Sequence, residues 1–326
     1  MPSALIRVIR VHNELCPELA PKNGLTLPRA YLRHAPARGR RCWYDPTVAE
    51  FTLLTLNAFG LPLFLASRRW PRLVRELHRH PVAVLCLQEV QQNVYLKQLL
   101  RDLKGYEHFA SHPHRLAPRG GLFTASRLPV ERSQFLPYDH RGRWLSAAAG
   151  DRLLGKGWLA THQRHGGLDV VVLNTHLNAN YSGDWSPANG FSRVLLGQVR
   201  QLAAYVRALP SDRVVIVCGD FNFPRASFLY RELFHDTGLI DPLADDPRPT
   251  YRPFSVIPAR YALPIDFVLV RAPARLAFDM HADIRPFEDS SALHARRRFL
   301  SDHCALTLKL SWPDPIAPPA EHTGLR

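Results

Sequence analysis

The chain has 326 residues, 46% of them apolar, with 42 Lys and Arg against 28 Asp and Glu, a formal charge of +14. This supplies a large buried core for one or two domains, and the basic balance favours anionic partners: phosphate substrates, nucleic acid or an anionic membrane surface. No apolar run approaches the roughly 20 residues of a membrane-crossing helix, and the N-terminus lacks the apolar core of an ordinary secretory signal.

Residues 1–49 are rich in Pro and Arg, include the cluster Arg38, Arg40, Arg41, and show no sustained periodicity, so they read as an irregular basic arm. The ordered domain is expected from Glu50. Phe51–Leu56 is a strand-like run that delivers Asn57 at its end, before Ala58-Phe59-Gly60-Leu61-Pro62 turns the chain. From Ser67 to His80, Trp70, Leu73, Val74 and Leu77 recur at helical spacing, with Arg68, Arg69, Arg72, Arg75 and Arg79 between them. That pattern is a surface helix whose basic face reads first as solvated and second as a membrane contact. Val82–Leu87 is a second buried strand, and it ends in Gln88-Glu89. An acid placed directly after six apolar residues needs a cation or another partner. A helix over Gln92–Leu103 follows, with Val94, Leu96, Leu99, Leu100 and Leu103 turned inward.

Antiparallel strands are expected around Gly120–Ser126, Trp144–Ala149 and Gly157–Thr161. Between the last two, Gly150-Asp151-Arg152-Leu153-Leu154-Gly155-Lys156 is a glycine-flanked turn carrying an acid and a base. Leu168–Thr175 is a buried strand delivering His176, with Leu177 and Asn178 behind it. Gly190–Leu209 is the strongest helix pattern, striped by Phe191, Val194, Leu195, Val199, Leu202, Ala203 and Val206. Val214–Cys218 is a strand buried on both faces that stops at Gly219. Asp220 and Asn222 then stand two apart on one side of an extended chain. Residues 224–263 read as a short helix and a Pro-rich loop that shapes substrate choice. In Ile265–Val270, Asp266 sits among apolar residues and requires a partner. Ser301-Asp302-His303 opens the last strand, and residues 313–326 form a Pro-rich tail. Cys86, Cys218 and Cys304 lie in or beside apolar strands as free thiols, which fits a reducing, cytoplasmic compartment.

Each of these polar residues taken alone has a structural explanation: a turn, a cap or a satisfied core group. Their order is what carries information. The motifs L-N-x-x-G-x-P at Leu56–Pro62, Q-E at Gln88–Glu89, G-D-x-x-x-G-K at Gly150–Lys156, N-T-H-L-x-A at Asn174–Ala179, G-D-F-N at Gly219–Asn222, I-D-F at Ile265–Phe267 and S-D-H at Ser301–His303 resemble those of the endonuclease/exonuclease/phosphatase (DNase I-like) superfamily, in particular its neutral sphingomyelinase branch. The resemblance covers about residues 51–312. It implies one domain over 50–312, a four-layer α/β/β/α sandwich of two facing mixed sheets. It also implies a Mg2+ or Mn2+ ion held by Glu89 with Asn57 and Asp302.

By the same resemblance, His176 binds a phosphoryl oxygen, Asp220 and Asn222 position the nucleophile or the transition state, and Asp266 orients His303 as the base. Asp151 and Lys156 flank the substrate. Asn178 stands where that branch carries a second His, and Asn cannot be a cation or proton donor as His+ can. The implied activity is hydrolysis of a phospholipid headgroup ester by a protein peripheral on a membrane. A DNase I or apurinic-endonuclease type nuclease is the alternative. The inositol-phosphatase motif W-C-D-R is absent, with Leu263-Pro264-Ile265-Asp266 in its place, and the intact acid, amide and His set argues against a catalytically dead binding module.

Overall fold

The computed structural model describes residues 48–61, 66–141, 155–253, 258–289 and 299–314. The basic arm up to residue 47, the Trp144–Ala149 run, Asp151 and the tail from residue 315 lie outside the described residues.

Six strands form one sheet: β1 (Val48–Asn57), β2 (Val84–Gln88), β3 (His108–Ala110), β4 (Phe123–Ser126), β10 (Asp279–Glu288) and β11 (Phe299–Pro313). Their order is β10-β11-β1-β2-β4-β3. The second sheet holds β5 (Val130–Pro137), β6 (Gly157–His165), β7 (Leu168–His176), β8 (Val214–Asp220) and β9 (Asp266–Arg271), in sequence order. Helices α1 (Ala66–Arg79) and α2 (Asn93–Asp102) cover the first sheet, and α3 (Gly190–Ala208) and α4 (Phe228–Phe234) cover the second. Both sheets are mixed, since β1 pairs parallel with β2 and β7 with β8. The expected four-layer sandwich is the fold observed.

The alternation of side chains along each strand builds three apolar layers. Phe51 and Leu53 of β1 meet Val170, Val172, Val214 and Ile216 between the sheets, while Leu54 and Leu56 face outward beneath α1 and α2. Val171, Leu173, Val215 and Val217 face α3 and α4. Strands buried on both faces therefore read as unbroken apolar runs.

Three sequence expectations need adjustment. The strand pair extends beyond the expected edges of the domain: Ala49 pairs with Trp312 and Val48 with Pro313, and the Trp312 indole donates to Gly166 O at 3.0 Å. The basic face of α1 is not uniformly solvated, because Arg69 turns inward to main-chain carbonyls and Arg72 pairs with Asp289 at 2.5 Å. In α2, Val94 and Leu100 point outward rather than into the core, at 59% and 45% exposure. The phase of α2 is fixed instead by Tyr95, Leu99 and Leu103, with Tyr95 stacked on Trp70 at 4.4 Å.

Candidate active site

The strand ends named in the sequence converge on one rim of the sandwich. Parallel pairing places Asn57 beside Gln88, and Glu89 follows immediately. In the opposite sheet His176 pairs with Asp220 and Asp220 with Asp266. β11 runs antiparallel to β1, so its opening residues Ser301-Asp302-His303 return to the same rim. Parallel pairs put two carboxyl-terminal strand ends side by side, which is how polar residues distant in sequence meet over an apolar floor.

Asn57 ties the two sheets together. Its Nδ2 donates to Glu89 Oε1 at 3.1 Å and to Asp220 Oδ2 at 2.9 Å, while its Oδ1 accepts from Phe59 N at 3.0 Å. Glu89 adopts the left-handed conformation, with φ 56°. Two glycines make room for that turn. A Cβ on Gly60 would lie 2.1 Å from Glu89 O, and one on Gly121 would lie 3.2 Å from Glu89 Cα. The Gly of L-N-x-x-G-x-P is thus a requirement of close backbone approach. Beneath the rim, Asn174 donates to Leu87 O and Phe123 O and accepts from Gln88, which locks the motif residues Gln88 and Asn174 into one cross-sheet network.

His303 Nδ1 bonds Asp266 Oδ2 at 2.8 Å, and its Nε2 stands 3.8 Å from Asp220 Oδ2. Burial pulls this imidazole down, but the carboxylates of Asp266 and Asp220 outweigh it and hold its pKa well above the ordinary value. Its partner across the site behaves in the opposite way. His176 Nε2 lies 2.7 Å from Lys156 Nζ and 3.4 Å from Asp220 Oδ2. Burial and the adjacent Lys156 keep His176 neutral, well below the ordinary His range. A charged Lys156 can only donate, which would make Nε2 of His176 the acceptor of this contact. Burial, with the Asp266 charge, raises Asp220 to about 6, and burial likewise raises Asp302 to about 6. Burial also raises the Glu89 carboxyl.

A cleft of about 380 Å³ opens over these groups, lined by Glu89, Lys156, His176, Asp220, Asn222, Asp302 and His303. Its outer wall is apolar and aromatic: Phe59, Leu61, Tyr181, Trp185, Tyr251, Tyr261, Leu263 and Ile265. Asn222, at φ 57°, donates its side-chain amide to Leu177 O and its backbone N–H to Asp220 Oδ1 at 2.9 Å. Asn178 is the expected site residue that lies apart. It is 4% exposed, accepts from Gln198 of α3, and is not among the residues lining the cleft.

Two arginines not singled out as site residues brace the start of β11 around Ser301–His303. Arg69 donates to Ala58 O, Phe59 O and Leu300 O, and Arg252 donates to Ser301 O at 3.0 Å and His303 O at 3.3 Å. Nothing in the spacing of arginines marks such contacts, because they depend on which carbonyls the fold leaves without strand partners.

The sequence model described as "Endonuclease/Exonuclease/phosphatase family" matches residues 54–303, most of the chain and every one of these strand ends. The chain belongs to that family. Members of the endonuclease/exonuclease/phosphatase family are phosphodiesterase hydrolases. Among curated relatives, the chain is 28% identical to "Protein angel homolog 2" of Danio rerio over 215 residues, covering 60% of this chain and 36% of that one. It is 29% identical to a sphingomyelinase of Mycobacterium tuberculosis (strain ATCC 25618 / H37Rv) over 187 residues, covering 55% and 35%. The chain thus spans about a third of the length of these curated relatives.

Solved structures of similar fold include D. rerio TDP2 with a single-strand DNA product, at TM-score 0.63 and 16% identity over 80% of this chain and 98% of that one. Sphingomyelinase C from Streptomyces griseocarneus matches at TM-score 0.61 and 22% identity, covering 80% and 99%. A Staphylococcus aureus beta toxin mutant with bound magnesium ions matches at 0.60 and 16%, covering 79% and 99%.

Proposed function

We propose that this member of the family is a divalent-cation-dependent phosphodiesterase that cleaves a phospholipid headgroup ester. The observation that carries the catalytic part is Glu89 Oε2, a buried carboxylate oxygen with no hydrogen-bond partner, set where Glu89, His176 and Asp220 offer ligand atoms all within 4.8 Å of one another. A buried lone oxygen in an acidic group fits a hard cation, which prefers oxygen ligands. Glu89 would hold the ion; the family resemblance adds Asp302, which lines the same cleft, and Asn57 if its amide turns its oxygen to the site. When bound, such an ion neutralises charge on the phosphoryl group and offsets the carboxylate field around His303.

The chain's own residues supply the rest. His303, held by Asp266 through Nδ1, presents Nε2 to the cleft as the base that takes a proton from the attacking water. Asp220 Oδ2, 3.8 Å from that nitrogen, is placed to hold the same water. Lys156 is the cation that meets the phosphoryl oxygens, and neutral His176 orients it through their 2.7 Å contact. Asn222 keeps Asp220 in place. The sequence expectation gave the phosphoryl contact to His176; in this proposal it passes to Lys156, with His176 behind it.

The lipid reading is supported by the cleft wall. Among the described lining residues, Lys156 is the single Lys or Arg, and the outer wall is otherwise mainly apolar and aromatic. A polynucleotide track calls for several cations along the phosphate path. The nuclease reading is favoured by the +14 charge of the whole chain and by the TDP2 likeness. Turnover of sphingomyelin, phosphatidylcholine, plasmid DNA and abasic-site DNA with and without Mg2+ separates the two. Headgroup release from a choline phospholipid, with DNA untouched, is the expected result. Cleavage of DNA with lipid ignored would refute the lipid assignment. Glu89→Gln is expected to lose about 1,000-fold or more in kcat while folding normally, and full turnover in chelator would refute the metal requirement.

A further inference from the structure

We infer that the outer face built by α2, the loop 111–118 and the edge strand β3 docks on the surface of an anionic phospholipid bilayer. Large exposed apolar side chains gather there: Val94 at 59%, Leu100 at 45%, Phe109 at 37% and Leu116 at 81%. Core packing does not explain Val94 and Leu100, because the inward stripe of α2 is Tyr95, Leu99 and Leu103. Leu116 is presented deliberately. Asn93, the first residue of α2, donates its N–H to Leu116 O at 2.9 Å and its amide to Arg115 O at 3.1 Å, which fixes the loop against the helix.

Exposed cations interleave with these residues: Lys97, Arg101, Lys104 and Arg115. The acids on the same stretch are Glu107 and Asp102; Asp102 and Arg101 pair at 2.7 Å and offset each other, which leaves Lys97, Lys104 and Arg115 against Glu107. The mixture decides the partner. Nucleic acid rewards the cations but gives nothing for Leu116 or Val94. A protein interface core is depleted of charge, whereas here cations separate the apolar tips. A bilayer interface takes both, with apolar tips at the acyl boundary and cations among anionic headgroups. The face also adjoins the cleft, since Gln91 lines the cleft and α2 starts two residues later. The purpose of this docking rests on the lipid reading of the site, but binding itself is measured without turnover.

The test is sedimentation of the full-length Glu89→Gln protein with phosphatidylcholine vesicles, with and without phosphatidylserine. Stronger binding to the anionic vesicles is expected. Leu100→Asp with Leu116→Asp should lower that partition by about tenfold, and Lys97→Gln with Lys104→Gln should lower it less and flatten its salt dependence. Circular dichroism confirms that the variants fold. Both pairs of substitutions, made in the otherwise unaltered protein, should leave hydrolysis of soluble bis(p-nitrophenyl) phosphate unchanged. Equal vesicle partition of all variants would overturn the inference. So would a dimer dissociated by the leucine substitutions, or DNA binding that needs the lysines and ignores the leucines. Failure of the catalytic reading has a different signature: vesicle binding that responds to the substitutions, with no phosphodiester released.

Discussion

At the scale of single residues, the site works by opposing two imidazoles. Without a cation, Asp266 and Asp220 favour the protonated form of His303, so the proposed base role requires the bound ion to offset their field, while burial and Lys156 favour neutral His176. Groups pushed apart in this way take different roles in proton transfer. Lys156→Met keeps the length of the side chain and removes its charge. It is expected to lower kcat by about 100-fold, with a Tm change of no more than about 2 °C, because a lysine that only filled space would be replaced by Met without kinetic loss. Unchanged kcat and KM would assign Lys156 a purely structural role. The bracing arginines act through the backbone of their neighbours. Arg69→Met removes the donors to Ala58, Phe59 and Leu300 while keeping much of the aliphatic packing. A fall in kcat of about tenfold or more with KM little changed is expected, partly restored by added guanidinium but not by Arg69→Lys, which lacks the planar fork. Full activity in Arg69→Lys would mean that charge alone suffices.

At the scale of elements, the turn from β1 toward α1 and the end of β2 are built around each other. Gly60 N donates to Glu89 O at 3.0 Å, and a Cβ on residue 60 would stand 2.1 Å from that same oxygen. The contact is with main chain, so no side-chain rotation relieves it. Gly60→Ala is therefore expected to push Glu89 away from Asn57, with a loss of about 1–3 kcal/mol of stability and a clear weakening of Mn2+ binding. Calorimetric titration of metal and thermal unfolding read the two effects separately, and a variant with wild-type metal affinity would contradict this account of the motif glycine. The same scale explains why α1 differed from its helical-wheel reading. A basic face was legible, but the carbonyls of residues 58, 59 and 300 draw Arg69 out of it.

At the scale of the whole molecule, the rim stores charge that the fold alone does not favour. Asp220 and Asp302 are raised to about 6 from an ordinary 3.8, and His303 is raised well above 6.5. Each raised group stabilises the protonated folded state below its unfolded value and loses that contribution as pH rises through its folded value. In chelator, stability should therefore fall as pH rises from about 5 to about 8, by a few kcal/mol. Lowered His176 opposes this through part of the range. Added Mn2+ should stabilise most at the high end, where the acids are ionised. Thermal unfolding across pH, with and without Mn2+, measures both. A chelated protein that grows steadily more stable from pH 5 to 8 would show that the acids are satisfied without a cation.

The sequence by itself determined the buried apolar strands and what stands at their ends, whereas the edge strands β3, β5 and β10, with few apolar residues in a row, escaped it. Short apolar runs rich in β-branched residues read as strands buried on both faces, and Asn57, Glu89, His176, Asp220, Asp266 and His303 each follow or interrupt such a run, where a polar group needs a partner. The resemblance of those ends, in order, to the family's motifs is what implied the fold. Tertiary structure alone decided how the groups use one another. Asn57 reaches two acids from opposite sheets, His176 meets Lys156 twenty residues away, and Asn178 turns to Gln198 instead of the cleft. The outward phase of Val94 and Leu100 was likewise fixed by the stacking of Tyr95 on Trp70. Periodicity reports that a face is apolar, whereas which apolar residues are buried, and which carbonyls lack partners, depends on chain segments brought together across the sandwich.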